Sequence, residues 1–208
     1  MTSRLVSGQI FAVLPALNEE MTVGLTIARL RRTIPKCSVV VVDNSSSDET
    51  AKVAKRAGAI VLLEPRRGKG FATQRGFDYA IKNGATAIIL VDADDTYKVE
   101  KVPEAVELVL HKGYDMVVGT RTPDSDSFGK SKNQSEFRFG HKTGNAFFVW
   151  LNQKLFRSRI DDVLSGWRVM SRRFVASFPA EAHGFEVEAQ LNAHAYAVSA
   201  AITNIKVG

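Results

Sequence analysis

The chain has 208 residues, 45% of them hydrophobic, with 28 Lys+Arg against 22 Asp+Glu, enough for one α/β domain with a sizeable core. This composition excludes a disordered chain, and the lone Cys37 excludes a disulfide framework or a Cys-built zinc site and suits a reducing cytosol. His111, His141, His183 and His194 fall at no ligand spacing, Met1–Gln9 lacks the apolar core of a signal peptide, and no run of about 18 apolar residues marks a bilayer span.

Strand and helix signals alternate through the first half. Ile10–Pro15 is a short apolar run, followed by Asn18 and an amphipathic stretch to about Arg32. Val39–Val42 has the β-branched composition of a buried strand. Ser46 and Glu49 form a capping-box pattern that predicts a helix to about Ala57. Ala59–Leu63 reads as a third strand, and Phe71–Lys82 as a helix stopped by Asn83-Gly84. Ala87–Val91 is a fourth strand, Val102–His111 a helix and Asp115–Gly119 a fifth strand. The pattern predicts an α/β fold with a mostly parallel, Rossmann-like sheet covered by helices on both faces. Beyond it come a polar segment, Thr122–Glu136, a helix near Gly140–Phe156 and the segment Val163–Met170. A short helix near Arg172–Phe178 and a helix near Phe185–Ala197 precede a last strand, Ala201–Val207. One domain over 1–208 is expected, with 1–120 and 121–208 as its two halves.

Charge is unevenly placed. Arg121–Arg173 carries 11 Lys/Arg against 5 acids, so this stretch holds the whole formal charge of +6. Such a segment suits phosphates or an anionic membrane surface, or is simply a solvated face. In the helix near 140–156, Phe147, Phe148, Leu151 and Leu155 share a face flanked by Trp150, Lys154, Arg157 and Arg159. That face fits either a membrane interface or an ordinary core.

Ligands of open α/β sheets bind beyond the carboxyl ends of the strands. Those ends carry Ala16-Leu17-Asn18-Glu19, Asp43-Asn44, Arg66-Arg67-Gly68-Lys69-Gly70, Asp92-Ala93-Asp94-Asp95 and Thr120-Arg121. Asp92 and Asp94, two residues apart at a strand end, point the same way and offer hard oxygens to Mg²⁺ or Mn²⁺. The alternative is a turn or helix cap at Asp94 or Asp95. A dinucleotide site is excluded, because the first strand–helix turn, Pro15–Glu20, lacks G-x-G-x-x-G. A P-loop fails too, since Gly68-Lys69-Gly70 lacks the upstream Gly and the following Ser/Thr. The acids at the strand ends also argue against a nucleic-acid-binding domain, and no nucleic acid partner is expected.

Taken in order, Leu14–Glu20, Val42–Ser45 with Asp48–Thr50, Arg67–Gly70, Asp92–Asp95, Gly119–Arg121 and Asp162–Arg168 resemble the family 2 glycosyltransferases of GT-A fold. The resemblance is to their polyprenyl-phosphate branch, typified by dolichyl-phosphate mannose synthase, and covers about residues 9–206. It implies a metal-dependent, inverting transfer from a GDP- or UDP-linked sugar to dolichyl or undecaprenyl phosphate at the cytoplasmic membrane face. Pro15, Leu17, Asn18 and Glu19 would line the nucleotide pocket, although Asn18 and Glu19 also fit a helix cap and first-turn acid. Asp43 would hydrogen-bond the base, unless it only forms an Asx turn. Arg67 and Lys69 would neutralise phosphate or hold the loop over the nucleotide. Asp92, Ala93 and Asp94 match the family's D-x-D, with Asp92 and Asp94 as ligands of Mg²⁺ or Mn²⁺. Arg121 and Arg138 match arginines that contact acceptor-side phosphates. Asp162 matches an aspartate that serves as general base on a hydroxyl acceptor; a phosphate acceptor, already anionic, needs none. The competing readings are a family 2 enzyme acting on a saccharide hydroxyl and a non-catalytic, truncated relative.

Overall fold

The computed structural model describes residues 9–120, 165–179 and 181–207. Arg121, Arg138, Asp162, the polar segment 122–136 and the helix expected near 140–156 lie outside the described residues. The elements are β1 (Gln9–Ala16), α1 (Val23–Thr33), β2 (Ser38–Asp43), α2 (Thr50–Arg56), β3 (Ile60–Leu63), α3 (Lys69–Lys82) and β4 (Ala85–Leu90). There follow α4 (Val102–His111), β5 (Met116–Thr120), β6 (Arg168–Ser171), α5 (Arg172–Ser177), α6 (Val187–Ala197) and β7 (Ile202–Lys206).

The described strands form one seven-stranded sheet in the order β3-β2-β1-β4-β6-β5-β7. Pairing is parallel except at β6, which runs antiparallel to both β4 and β5. The expected mostly parallel sheet is therefore observed, with one reversed strand inserted into it. Alternation along each strand feeds two cores. Ala12 and Leu14 of β1 and Val39 and Val41 of β2 face α1, α2 and α4, meeting Ile27, Leu30, Ala54 and Val106. Phe11, Val13, Val40 and Val42 face the other way, toward Phe77 of α3, Phe174 of α5 and Leu191 of α6. With both faces covered, β1 and β2 read as continuous apolar runs rather than alternating ones.

One local reading is corrected. Ser46 does not cap α2: its Oγ accepts the Asn18 N–H (3.0 Å), and the Thr50 N–H goes instead to Asp48 Oδ1 (2.9 Å). Of the segment Val163–Met170, residues 165–170 are described, and strand β6 starts there at Arg168.

Asp115 anchors the reversed strand. Its carboxylate accepts hydrogen bonds from Ser171 Oγ (3.0 Å), the Ala201 N–H (3.1 Å) and Arg173 Nη2 (2.8 Å), tying the start of β5 to the end of β6 and the entry to β7. Burial alone would raise its pKa, but these donors, Arg173 foremost, leave it below the usual carboxylate value. A depressed carboxylate stabilises the fold above its unfolded pKa, and that contribution is lost as pH falls through the folded value. Asp115→Ala is expected to cost about 2 kcal/mol at neutral pH. Urea melts should show the gap to wild type narrowing below about pH 4; a gap constant from pH 7 to pH 3 rules the ionised carboxylate out as the cause.

Candidate active site

The chain builds β1, β2 and β3 outward to one side, then returns to place β4 on the other side of β1. This reversal opens a crevice beyond the carboxyl ends of β1 and β4, where open α/β sheets take ligands. Backbone strain gathers there. Of the four non-glycine residues with positive φ among those described, Asn18 (57°), Ser45 (63°) and Asp95 (59°) sit in the turns after β1, β2 and β4. Surrounding structure must hold such residues in place.

That structure is a zip between the first two turns. The Glu19 N–H donates to Thr50 Oγ1 (2.7 Å), Asn18 Oδ1 accepts the Ser47 N–H (2.8 Å), and the Glu20 N–H donates to Asp48 Oδ2 (3.2 Å). Asn18 is therefore a loop-to-loop tie and does not cap α1, which begins at Val23. Pro15 is buried, while Leu17 is 46% exposed beside the tie. Asp43 is buried and its Oδ1 accepts the Ser46 N–H (3.3 Å), so the Asx-type turn forms.

Beyond β3, the loop to α3 delivers a lysine. Glu64 is buried and paired through both oxygens with Arg66 (2.8 and 3.0 Å), which draws its pKa below the usual carboxylate range. Arg67 is exposed. Gly68 and Gly70 lie against the carbonyls of His183 and Ala182, where a Cβ on either glycine would collide with the backbone. The Gly70 N–H donates to His183 O (3.1 Å). The glycines therefore permit close approach of two segments.

Between them, Lys69 points inward. Its Nζ lies 2.6 Å from Asp92 Oδ1 and 2.5 Å from Glu188 Oε1. Burial alone would lower the Lys69 pKa, but the charges of Asp92 and Glu188 reverse the effect and hold the ammonium above its ordinary value.

The acids converge on the same crevice. Asp92 Oδ2 packs so closely on Gly166 that a Cβ there would collide with it, and the Gly166 N–H donates to the Tyr97 hydroxyl (3.0 Å). Asp94 Oδ1 accepts from both the Thr96 N–H (3.0 Å) and its hydroxyl (2.7 Å). Ala93 is buried, with its carbonyl accepting from Thr26 Oγ1 (3.3 Å), and Asp95 pairs with Arg29 (2.8 Å). The Glu19 pKa is raised, first by burial and further by Asp94, Asp92 and Asp48, against a lowering hydrogen bond from Thr22. Among the described residues, no three Asp, Glu, His or Cys side chains form a complete metal cage. Asp92 and Asp94 are instead an incomplete, hard-oxygen set suited to a divalent cation that brings further oxygens of its own.

The structure thus brings Glu19, Asp43, Lys69, Asp92 and Asp94 to one sheet edge, with Arg121, Arg138 and Asp162 outside the described residues. Sequence reasoning missed Glu188. Its signal lies in α6, where buried Glu188 and Asn192 stand at i and i+4 beside buried Val187, Leu191 and Ala195. Two polar residues on an inward face require internal partners. Asn192 Oδ1 accepts from fully buried Arg168 Nη1 (2.6 Å), whose Nε donates to Ser165 O (3.1 Å).

Comparison with known proteins agrees with this geometry. Residues 11–176 match the family model described as Glycosyl transferase family 2. The chain is 35% identical to Protein RfbJ of Shigella flexneri, over 65% of this chain and 98% of that protein. It is 26% identical to a dolichyl-phosphate hexose transferase of Haloferax volcanii, over 78% of this chain and 66% of that one. It is 29% identical to an undecaprenyl-phosphate mannosyltransferase of Micrococcus luteus, over 54% of this chain and 48% of that one. The fold is that of glucosyl-3-phosphoglycerate synthase of Mycobacterium tuberculosis, solved with Mn²⁺, UDP and glucosyl-3-phosphoglycerate. That match has a TM-score of 0.76 at 24% identity, over 97% of this chain and 71% of that chain.

Lys69→Ala removes the cation between two carboxylates, one of them almost wholly buried. It is expected to destabilise the fold by about 3–5 kcal/mol, as when a buried charge loses its partner. Denaturant titration at pH 7 checks this. A variant as stable as wild type at pH 7 refutes the pairing.

Proposed function

The chain belongs to the family 2 glycosyltransferases, and from that premise we propose that it moves a sugar from a nucleoside-diphosphate sugar to polyprenyl phosphate. The observation that carries the donor half is the placing of Lys69, Asp92 and Asp94 at the switch point between β1 and β4, with Asp43 at the carboxyl end of neighbouring β2. Asp43, at the outer end of β2, reads the base. Asp92 and Asp94 would hold Mg²⁺ or Mn²⁺ together with the donor's phosphate oxygens, and the metal would supply charge stabilisation for the departing diphosphate. The solved synthase of the same fold, crystallised with Mn²⁺ and UDP, supports that reading. Pro15, Leu17, Asn18, Glu19, Arg67 and Ala93 complete the pocket's edge.

In the transfer, the acceptor oxygen attacks the anomeric carbon as the bond to the diphosphate breaks on the opposite face, which inverts the configuration. A phosphate acceptor is already ionised, so the protein must supply cations rather than a base. The excess of Lys/Arg in 121–173 meets that need, with Arg121 and Arg138 as its leading members. The two polyprenyl-phosphate relatives support this acceptor, and the reaction would then run at the cytoplasmic membrane face. Among the described residues, no helix is long and apolar enough to cross a membrane. A hydroxyl acceptor is the second reading, favoured by the synthase solved with glucosyl-3-phosphoglycerate; there Asp162 would serve as base.

Calorimetry with UDP and GDP tests the donor site. Binding should strengthen at least tenfold on adding Mn²⁺, and Asp94→Asn should remove that gain. Affinity indifferent to metal in the wild type overturns the D-x-D assignment.

Transfer assays with polyprenyl phosphate separate the acceptors. Arg138→Ala should lower transfer strongly with little change in nucleotide-sugar hydrolysis, whereas Asp162→Asn should keep measurable transfer. If Asp162→Asn abolishes transfer with donor binding intact and Arg138→Ala is silent, the hydroxyl reading replaces this one.

A further inference from the structure

We propose that Asn44 is a positioning residue: its carboxamide fixes where the Lys69 ammonium sits and ties that cation to the base-binding end of the site. The inference rests on the donor-site reading above and adds a residue to it.

Asn44 is 3% exposed and directly follows Asp43 at the carboxyl end of β2. Its backbone N–H donates to Ala16 O (2.8 Å), which pins it against the end of β1. Its side chain is turned wholly toward the β3–α3 loop. Nδ2 donates to Glu64 O (3.1 Å) and Arg66 O (2.7 Å), while Oδ1 accepts the Gly68 N–H (2.7 Å). One carboxamide thus makes three hydrogen bonds to a loop that ends one residue before Lys69.

The chemistry of these bonds selects the residue. Two carbonyls require two donors and an amide N–H requires an acceptor, and a carboxamide supplies both from one planar group. An aspartate would set a carboxylate against two carbonyl oxygens. A serine has one donor and is too short for all three partners.

Placement of the loop decides placement of Lys69. Gly68 has φ 138° and is the pivot from which α3 starts. On its far side, the Ala182 and His183 carbonyls leave Gly68 and Gly70 no room to retreat. Asn44 holds the near side. Held between the two, Lys69 Nζ reaches Asp92 and Glu188 together at 2.6 and 2.5 Å. Asn44 makes no contact with Nζ and acts through the backbone. The same residue continues the chain from Asp43, so the group proposed to read the base and the loop carrying the phosphate-side cation share one tie.

A double-mutant cycle tests this, with calorimetry of UDP and GDP plus Mn²⁺ and of the matching monophosphates. Asn44→Ala and Asn44→Asp should each weaken diphosphate binding at least tenfold and leave monophosphate binding within about twofold. In a Lys69→Gln background, the same Asn44 substitutions should change diphosphate affinity less than twofold, because the cation they position is gone. Thermal melts establish that each variant is folded. Asn44→Asp keeps the size and the acceptor for Gly68, and carries the test if Asn44→Ala does not fold. Equal losses with Lys69 present or absent, or no loss with it present, overturn the proposal while leaving the donor site intact. A wild-type protein that binds neither diphosphate overturns the donor-site reading, and this inference with it.

Discussion

Much of the described structure is arranged around one partly buried lysine. Lys69 enters a space bounded by half-buried Asp92 and buried Glu188, and withdrawing these charges from water, even in part, carries a desolvation cost. Only close, fixed geometry recovers that cost. The glycines on either side of Lys69 let α3 start against the 182–183 backbone, and Gly166 lets Asp92 tuck in behind. α6 turns Glu188 inward, and Arg168 of the reversed strand β6 ties into the same helix through Asn192. Elements far apart in sequence therefore meet at one charge, and the sheet edge they meet on is the one that opens at the switch point.

The first half of the chain was legible because local and global signals agree there. Continuous β-branched runs such as Val39–Val42 mark strands covered on both faces, and these lie at the centre of the sheet. The strand ends could be read as a site because β1, β2 and β4 run in the same direction. Where the reading failed, non-local partners had overridden a local pattern. Ser46 and Glu49 have the spacing of a capping box, yet the Ser46 hydroxyl is taken by Asn18, 28 residues away. The reversal of β6 has no local signature either. It follows from the β4–β6 pairing of Leu90 with Arg168, a contact that no periodicity encodes.

Glu188 shows the same limit at the level of the site. Motif spacing led to Asp92, Asp94 and Lys69, because these sit on turns next to strands. Glu188 sits on a helix more than a hundred residues from Lys69, and only its presence on an apolar face distinguishes it. Asn44 was placed beside Asp43 without a task of its own, since the partners that give it one are backbone carbonyls of a loop 20 to 22 residues on. A sequence shows which side chains are polar; it does not show which backbone groups they will meet.

The two aspartates of the D-x-D are not equivalent in this structure, although the motif presents them as a pair. Asp92 has Oδ1 committed to Lys69 and Oδ2 packed over Gly166, so its carboxylate is oriented by the protein itself. Asp94 is oriented by its own turn, through Thr96 two residues on. If both hold a divalent cation, as proposed, it would meet one ligand fixed to the core and one carried by a loop. Asp92 also shares its charge with an ammonium, which weakens its hold on a second cation, whereas Asp94 has no such competitor among the described residues. Metal affinity at this site should then depend on the oxygens the donor diphosphate brings, and nucleotide and metal would bind as a unit. Under the proposed donor site, that coupling would follow from Lys69, since an ammonium paired with Asp92 leaves that carboxylate less charge to offer a metal.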